Sequence, residues 1–108
     1  MTVQALQESL GLKVFHLADG EREISGGYAG DLLSWVLGRA EAGTAWLTIM
    51  SNQNVAAVAL MTDVACVILT EGVEPDPELL RRAEEKGVNL LGAGGDSFSV
   101  ALRIGGVL

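Results

Sequence analysis

Few side chains in this 108-residue sequence could do catalytic chemistry, and their spacing argues against it. His16, the single histidine, can be combined on paper with Ser25 or Ser34 and with Asp31 as base, nucleophile and orienting carboxylate. Neither serine sits in a Gly-x-Ser-x-Gly elbow, so a strand residue is the better reading of the histidine. Cys66 lies among Val64, Ala65, Val67 and Ile68 with no basic neighbour to lower its pKa; it reads as a small buried hydrophobe. One cysteine excludes an internal disulfide and a thiolate metal cluster within the chain. Asp19, Glu21, Glu23 and Asp31 are of the type that binds a hard cation, although an acidic tip is more often simply solvated. Gly92-Ala93-Gly94-Gly95 lacks the phosphate-loop spacing and its lysine, and Gly26-x-x-x-Gly30 misses the dinucleotide fingerprint. The sequence thus predicts no catalytic residue, no metal and no cofactor.

Ligand-type chemistry is better represented. Ser51-Asn52-Gln53-Asn54 precedes an apolar helical run, where free amides and the helix dipole favour phosphate or carboxylate. Plain capping explains either Ser51 or Asn52 alone, and the convergence of several polar loops raises the ligand reading. In open parallel sheets ligands lie outside the carboxyl ends of the strands. The candidate rim is therefore Gly26, Gly27, Tyr28, Asp31, Ser51, Asn52, Asn54 and Thr70.

The elements that must position these groups follow from periodicity and punctuation. Arg22 to Ser34 reads as strand, glycine turn and helix, with Asp31 capping the helix that Leu32 begins. On that reading Gly27→Val damages folding or binding more than Gly92→Val. Before it, Thr2 caps a helix carrying Ala5, Leu6 and Leu10 that stops at Gly11. Leu12 to Leu17 is then a strand, and the Asp19-Gly20 pair predicts a hairpin returning along Arg22 to Tyr28. The helix from Asp31 to Ala40 places Leu32, Leu33, Val36, Leu37 and Ala40 on one face, with Trp35 off that stripe.

Ala45 to Met50 is a strand, Val55 to Met61 a largely buried helix, and Val64 to Leu69 a central strand covered on both faces. Asp76 as cap, Pro77 at the first helical position and Gly87 past the end delimit another helix. Val88 to Leu91 is the last strand, and Asp96 or Ser97 caps a final helix whose apolar face is Phe98, Ala101 and Leu102. Alternating strands and helices require parallel pairing with right-handed crossovers. The predicted class is α/β, a single three-layer domain over residues 1–108 with a mostly parallel sheet and an antiparallel edge hairpin.

Hydrophobic residues make up 49% and aromatics 5%, so the interior is built from Leu, Val, Ile and Ala. A net charge of −7 with scattered basic residues speaks against nucleic acid and anionic membranes as partners. No apolar run approaches the ~20 residues of a membrane span. Met1-Thr2-Val3-Gln4 lacks the basic start of a signal peptide, so the expected location is cytoplasmic. The apolar Val55–Met61 helix, Trp35 and Trp46 suggest a patch that a small domain cannot cover alone, and a homodimer is expected.

The stretch Glu21-Arg22-Glu23-Ile24-Ser25-Gly26-Gly27 followed by Asp31-Leu32-Leu33-Ser34 resembles the signature of the DRTGG domain family. The likeness extends through Thr48, Asn54, Ala57 and Gly72-Val73-Glu74-Pro75, with Glu21 standing for the family's Asp and Ser25 for its Thr. The resemblance implies an α/β regulatory module, related to the amino-terminal domain of HPr kinase and found beside CBS domains in some pyrophosphatases. It implies no catalytic residues. The expected function is a regulatory module that self-associates and binds a small anionic ligand such as an adenine nucleotide; the alternative is an interaction subunit serving a partner protein.

Overall fold

A computed structural model describes residues 1–108 as five strands and five helices. The strands β1 (Lys13–His16), β2 (Gly26–Ala29), β3 (Thr44–Thr48), β4 (Cys66–Leu69) and β5 (Leu90–Gly92) form one sheet in the order β1-β5-β4-β3-β2. All neighbouring pairs are parallel except β1·β5. The central strands β3 and β4 are buried along their whole length, as their unbroken apolar runs require when helices cover both faces.

Helices α1 (Val3–Leu10) and α5 (Ser97–Gly105) cover one face, where Val3, Leu6, Leu47, Ile68, Leu91, Val100 and Ile104 form a core. Helices α2 (Leu33–Arg39), α3 (Asn54–Thr62) and α4 (Pro77–Lys86) cover the other, around Trp46, Val55, Val67, Leu79 and Leu90. This is the three-layer arrangement expected from the alternation of elements. Several ends form as their residues dictate: Thr2 Oγ1 accepts the Ala5 amide 3.1 Å away. Gly11 and Gly87 close their helices at φ of 66° and 73°.

Several expectations are corrected. The antiparallel edge exists, but β1 pairs with β5 and not with the returning arm; β2 lies at the opposite edge, parallel to β3. Asp19-Gly20 begins a crossing that carries the chain past the start of α1, where the amides of Val3 and Gln4 bond the carbonyls of Arg22 and Gly20. Gly26 and Gly27 are strand residues, and the turn into α2 is Gly30-Asp31-Leu32. Helix α5 docks through Val100 and Ile104, leaving Phe98 and Leu102 74% and 61% exposed. Helix α2 likewise buries Val36 and exposes Leu32 and Leu37.

The glycine comparison is reversed as well. A Cβ at Gly27 would meet nothing closer than the Ala45 carbonyl oxygen at 3.7 Å, whereas one at Gly92 would stand 2.6 Å from the Phe15 ring. Gly92→Val is expected to cost about 1–3 kcal/mol through overpacking, with Gly27→Val close to the parent in folding stability. Thermal melts of the two variants check this, and a lower melting temperature for Gly27→Val would overturn it.

Candidate functional site

The carboxyl ends of β2, β3 and β4 bring Asp31, Ser51, Asn52, Asn54 and Thr70 to one rim. Asp31 does not cap α2. Its Oδ1 accepts the Thr48 hydroxyl and the Ile49 amide, both at 2.9 Å, so it ties the β2 turn to the end of β3. Thr48 Oγ1 in turn accepts the Met50 amide. Ser51 donates to Asp76 Oδ1 at 3.2 Å, Asn52 Oδ1 accepts the Asn54 amide, and the Thr70 and Ser97 hydroxyls are 2.7 Å apart. These polar groups bond chiefly to one another. Thr48, Asp76 and Ser97 are as much part of the rim as the predicted residues, and their parts depend on distant strand ends meeting.

Gly26 and Gly27 lie elsewhere. Gly26 faces Thr44, the first residue of β3, which places the pair at the amino end of a parallel strand. Tyr28 sits opposite Trp46, with its ring against Gly30. The rim itself is acidic, with Asp31, Glu71, Asp76 and Asp96 all exposed. Hydrogen bonds from the Ser99 amide and hydroxyl hold the Asp96 carboxyl below its ordinary pKa, so it is charged at neutral pH. Such a field disfavours a phosphate outside the strand ends.

His16 and Ser25 stand by opposite edge strands, so the paper triad does not assemble. Glu23 takes the amino terminus at 3.0 Å and Asp31 is spent on Thr48 and Ile49, which separates the suggested cation ligands. Burial raises the Cys66 thiol to about pKa 12, so it is uncharged and a poor nucleophile at neutral pH.

A different arrangement appears where α3 and α4 lie side by side. A groove of about 320 Å³ is lined by Gln53, Asn54, Ala57, Leu60, Arg82 and Lys86. Five of the seven basic side chains are engaged: Lys13 with Glu74, Arg22 with Asp63, Arg81 with Glu78, Arg39 over Trp35, and Arg103 on the Leu10 carbonyl. Arg82 and Lys86 have no such partner, and both line this groove, which contains no carboxylate. Their i, i+4 spacing, flanking the buried Leu79 and Ala83, is visible in the sequence; the neighbouring Gln53 and Asn54 are not, because that proximity is tertiary.

Comparison with known proteins places this arrangement in context. The family model of the DRTGG domain matches residues 33–107. The match contains Thr48, Asn54, Ala57 and Gly72–Pro75, while the Glu21–Gly27 stretch precedes it. No curated protein matches the sequence. Among solved structures the chain is similar to the CBS and DRTGG domains of the regulatory region of Clostridium perfringens pyrophosphatase, crystallised with its activator diadenosine tetraphosphate. The TM-score is 0.71 at 13% identity, over 95% of this chain and 45% of that one, so this chain spans less than half of that regulatory region. No helix is long and apolar enough to cross a membrane. With the family model covering most of the sequence and the fold in agreement, the chain belongs to the DRTGG domain family.

Proposed function

We propose that this chain is a non-catalytic cytoplasmic regulatory module that self-associates and takes a small anionic ligand of the adenine-nucleotide kind. The observation that carries the ligand reading is the α3–α4 groove, where the two unengaged cations line one wall beside amide side chains and no carboxylate is part of the lining. Arg82 supplies a planar fork and Lys86 a point charge for phosphate, while Ala57 and Leu60 offer an apolar floor to a base. Asn54 is common to this groove and to the rim expected from the sequence. The rim residues Asp31, Ser51 and Asn52 then act by fixing the loop from which α3 starts, and Thr70 by tying the end of β4 to the start of α5. A regulatory role is supported by the family and by its structural relative, whose activator is a dinucleotide.

Titration calorimetry with AMP, ATP and diadenosine tetraphosphate tests the ligand reading. Saturable binding is expected, weakened tenfold or more in Arg82→Ala/Lys86→Ala, since a hydrogen bond to a charged group contributes about 1.5–3 kcal/mol and ~1.4 kcal/mol is tenfold. Absence of heat with all three, or unchanged affinity in the double variant, would overturn the groove assignment. The alternative of an interaction subunit without a ligand is favoured by one observation, the exposed Phe98 and Leu102 on α5.

A further inference from the structure

The two edges of the sheet are unlike. Strand β1 carries Lys13, paired with Glu74, and breaks register between Val14 and His16, two devices that deter strand addition. Strand β2 is Gly26-Gly27-Tyr28-Ala29, with no charge, no proline and an unbroken register against β3, and nothing in the chain pairs with its outer side. The Gly30 amide bonds the Leu47 carbonyl and Ala29 stands opposite Leu47, so the backbone groups of Tyr28 turn toward β3 and those of Gly27 and Ala29 turn outward. They are the unsatisfied groups of an open edge.

Apolar surface flanks that edge. On the α5 face a cavity of about 310 Å³ is lined by Gly27, Ala29, Leu47, Ala101, Ile104 and Leu108. Ala101 continues at helical spacing into the exposed Phe98 and Leu102, so α5 is apolar on a second stripe beyond the one that docks it. On the α2 face Arg39 and Glu41 line a second cavity with Gly26 and Tyr28, and Arg39 stacks 3.8 Å over the half-exposed Trp35 ring.

Charge identifies the occupant. The sequence has 14 acidic residues, yet residues 24–30 and 97–108 contain none. A second copy, itself at −7, can approach here without like charges meeting. The flanking cation and anion, Arg39 and Glu41, are self-complementary under a two-fold axis. We infer that the open edge of β2, flanked by the outer stripe of α5, is the surface on which a second copy of this chain docks by antiparallel β2–β2 pairing. Gly27 and Ala29 of one protomer exchange amide–carbonyl bonds with Ala29 and Gly27 of its partner, and the two Tyr28 residues meet on the axis at the close, non-hydrogen-bonded position. The two sheets become one, and the α5 stripes cover each other.

This interface rests on the self-association proposed above, and the experiment separates the two. Light scattering of the 108-residue chain at micromolar concentration is expected to give twice the 11.3 kDa sequence mass. Gly27→Pro removes an outward amide and Leu102→Glu puts a carboxylate on the α5 stripe, both at exposed positions outside the protomer's own core. Each is expected to return the mass to the single-chain value with circular dichroism unchanged. Amide exchange on the parent chain is expected to show Gly27 and Ala29 protected. A dimer that survives both substitutions, or whose Gly27 and Ala29 amides exchange freely, overturns this interface and leaves self-association standing. A single-chain mass for the parent overturns both.

Discussion

Trp46→Ala is expected to lower stability by about 3–5 kcal/mol, the largest effect of any single truncation in this fold. Trp46 has no exposed surface and is the largest fully buried side chain. Removing it opens a cavity between β3 and the α2–α4 layer, where no other aromatic is fully buried and the close-packed aliphatic neighbours have little to refill the space. It also deletes the bond from Nε1 to the Gly30 carbonyl at 2.9 Å, which holds the turn carrying Asp31 against the sheet. Domains of this size have about 5–15 kcal/mol in total, so the variant sits near the threshold of folding. Calorimetry is expected to show a melting temperature lower by about 15 °C or more. A drop of less than about 5 °C would mean that the layer repacks, and the account of this core would be wrong.

Asn89→Leu is expected to cost about 3 kcal/mol, with each orphaned buried group contributing about 1–3 kcal/mol. Asn89 precedes β5 and is 5% exposed. Its Oδ1 accepts the amides of Ala18 and Asp19, both at 2.8 Å, and its Nδ2 donates to the carbonyls of Asp19 and Ala65 at 2.8 and 3.0 Å. One side chain thus fastens the crossing after β1 to the amino ends of β4 and β5. Leucine matches its size and satisfies none of these bonds, and the Ala65 carbonyl is too enclosed to recover water fully. Urea unfolding with an unchanged slope and a loss under about 1 kcal/mol would show that the crossing is held by something else.

Asn89 illustrates which parts of the structure were legible in the sequence. Elements with local causes were readable: Thr2 before α1, Pro77 and Gly87 around α4, and the apolar runs of β3 and β4. Each depends on a few adjacent residues. Features arising from distant pairing were not. Asp19-Gly20 has the composition of a hairpin turn, but the chain that follows it bonds to the start of α1 and then joins β3, because parallel addition there lets α2 pack on the far face. The α5 reading failed for another reason: Phe98, Ala101 and Leu102 fall on one stripe, Val100 and Ile104 on another, and composition does not rank two apolar stripes on one helix. For the candidate site, the polar loops were visible, while the mutual bonding that satisfies them and the meeting of Arg82 and Lys86 with Gln53 are tertiary.

The pairing of β1 with β5 joins Lys13 to Gly92, nearly the two ends of the chain. During synthesis β1 and α1 emerge first and have no strand to join until β5 has been made. Closing so long a loop carries an entropic cost that neither element can offset early, and folds dominated by such distant contacts form slowly. The amino-terminal segment is thus the last piece of the sheet to be locked, with α1 and α5 meeting over the same face only when both ends of the chain are present. A nascent chain halted before β5 would hold β1 as an unpaired strand, exposed to the quality-control machinery of the cell.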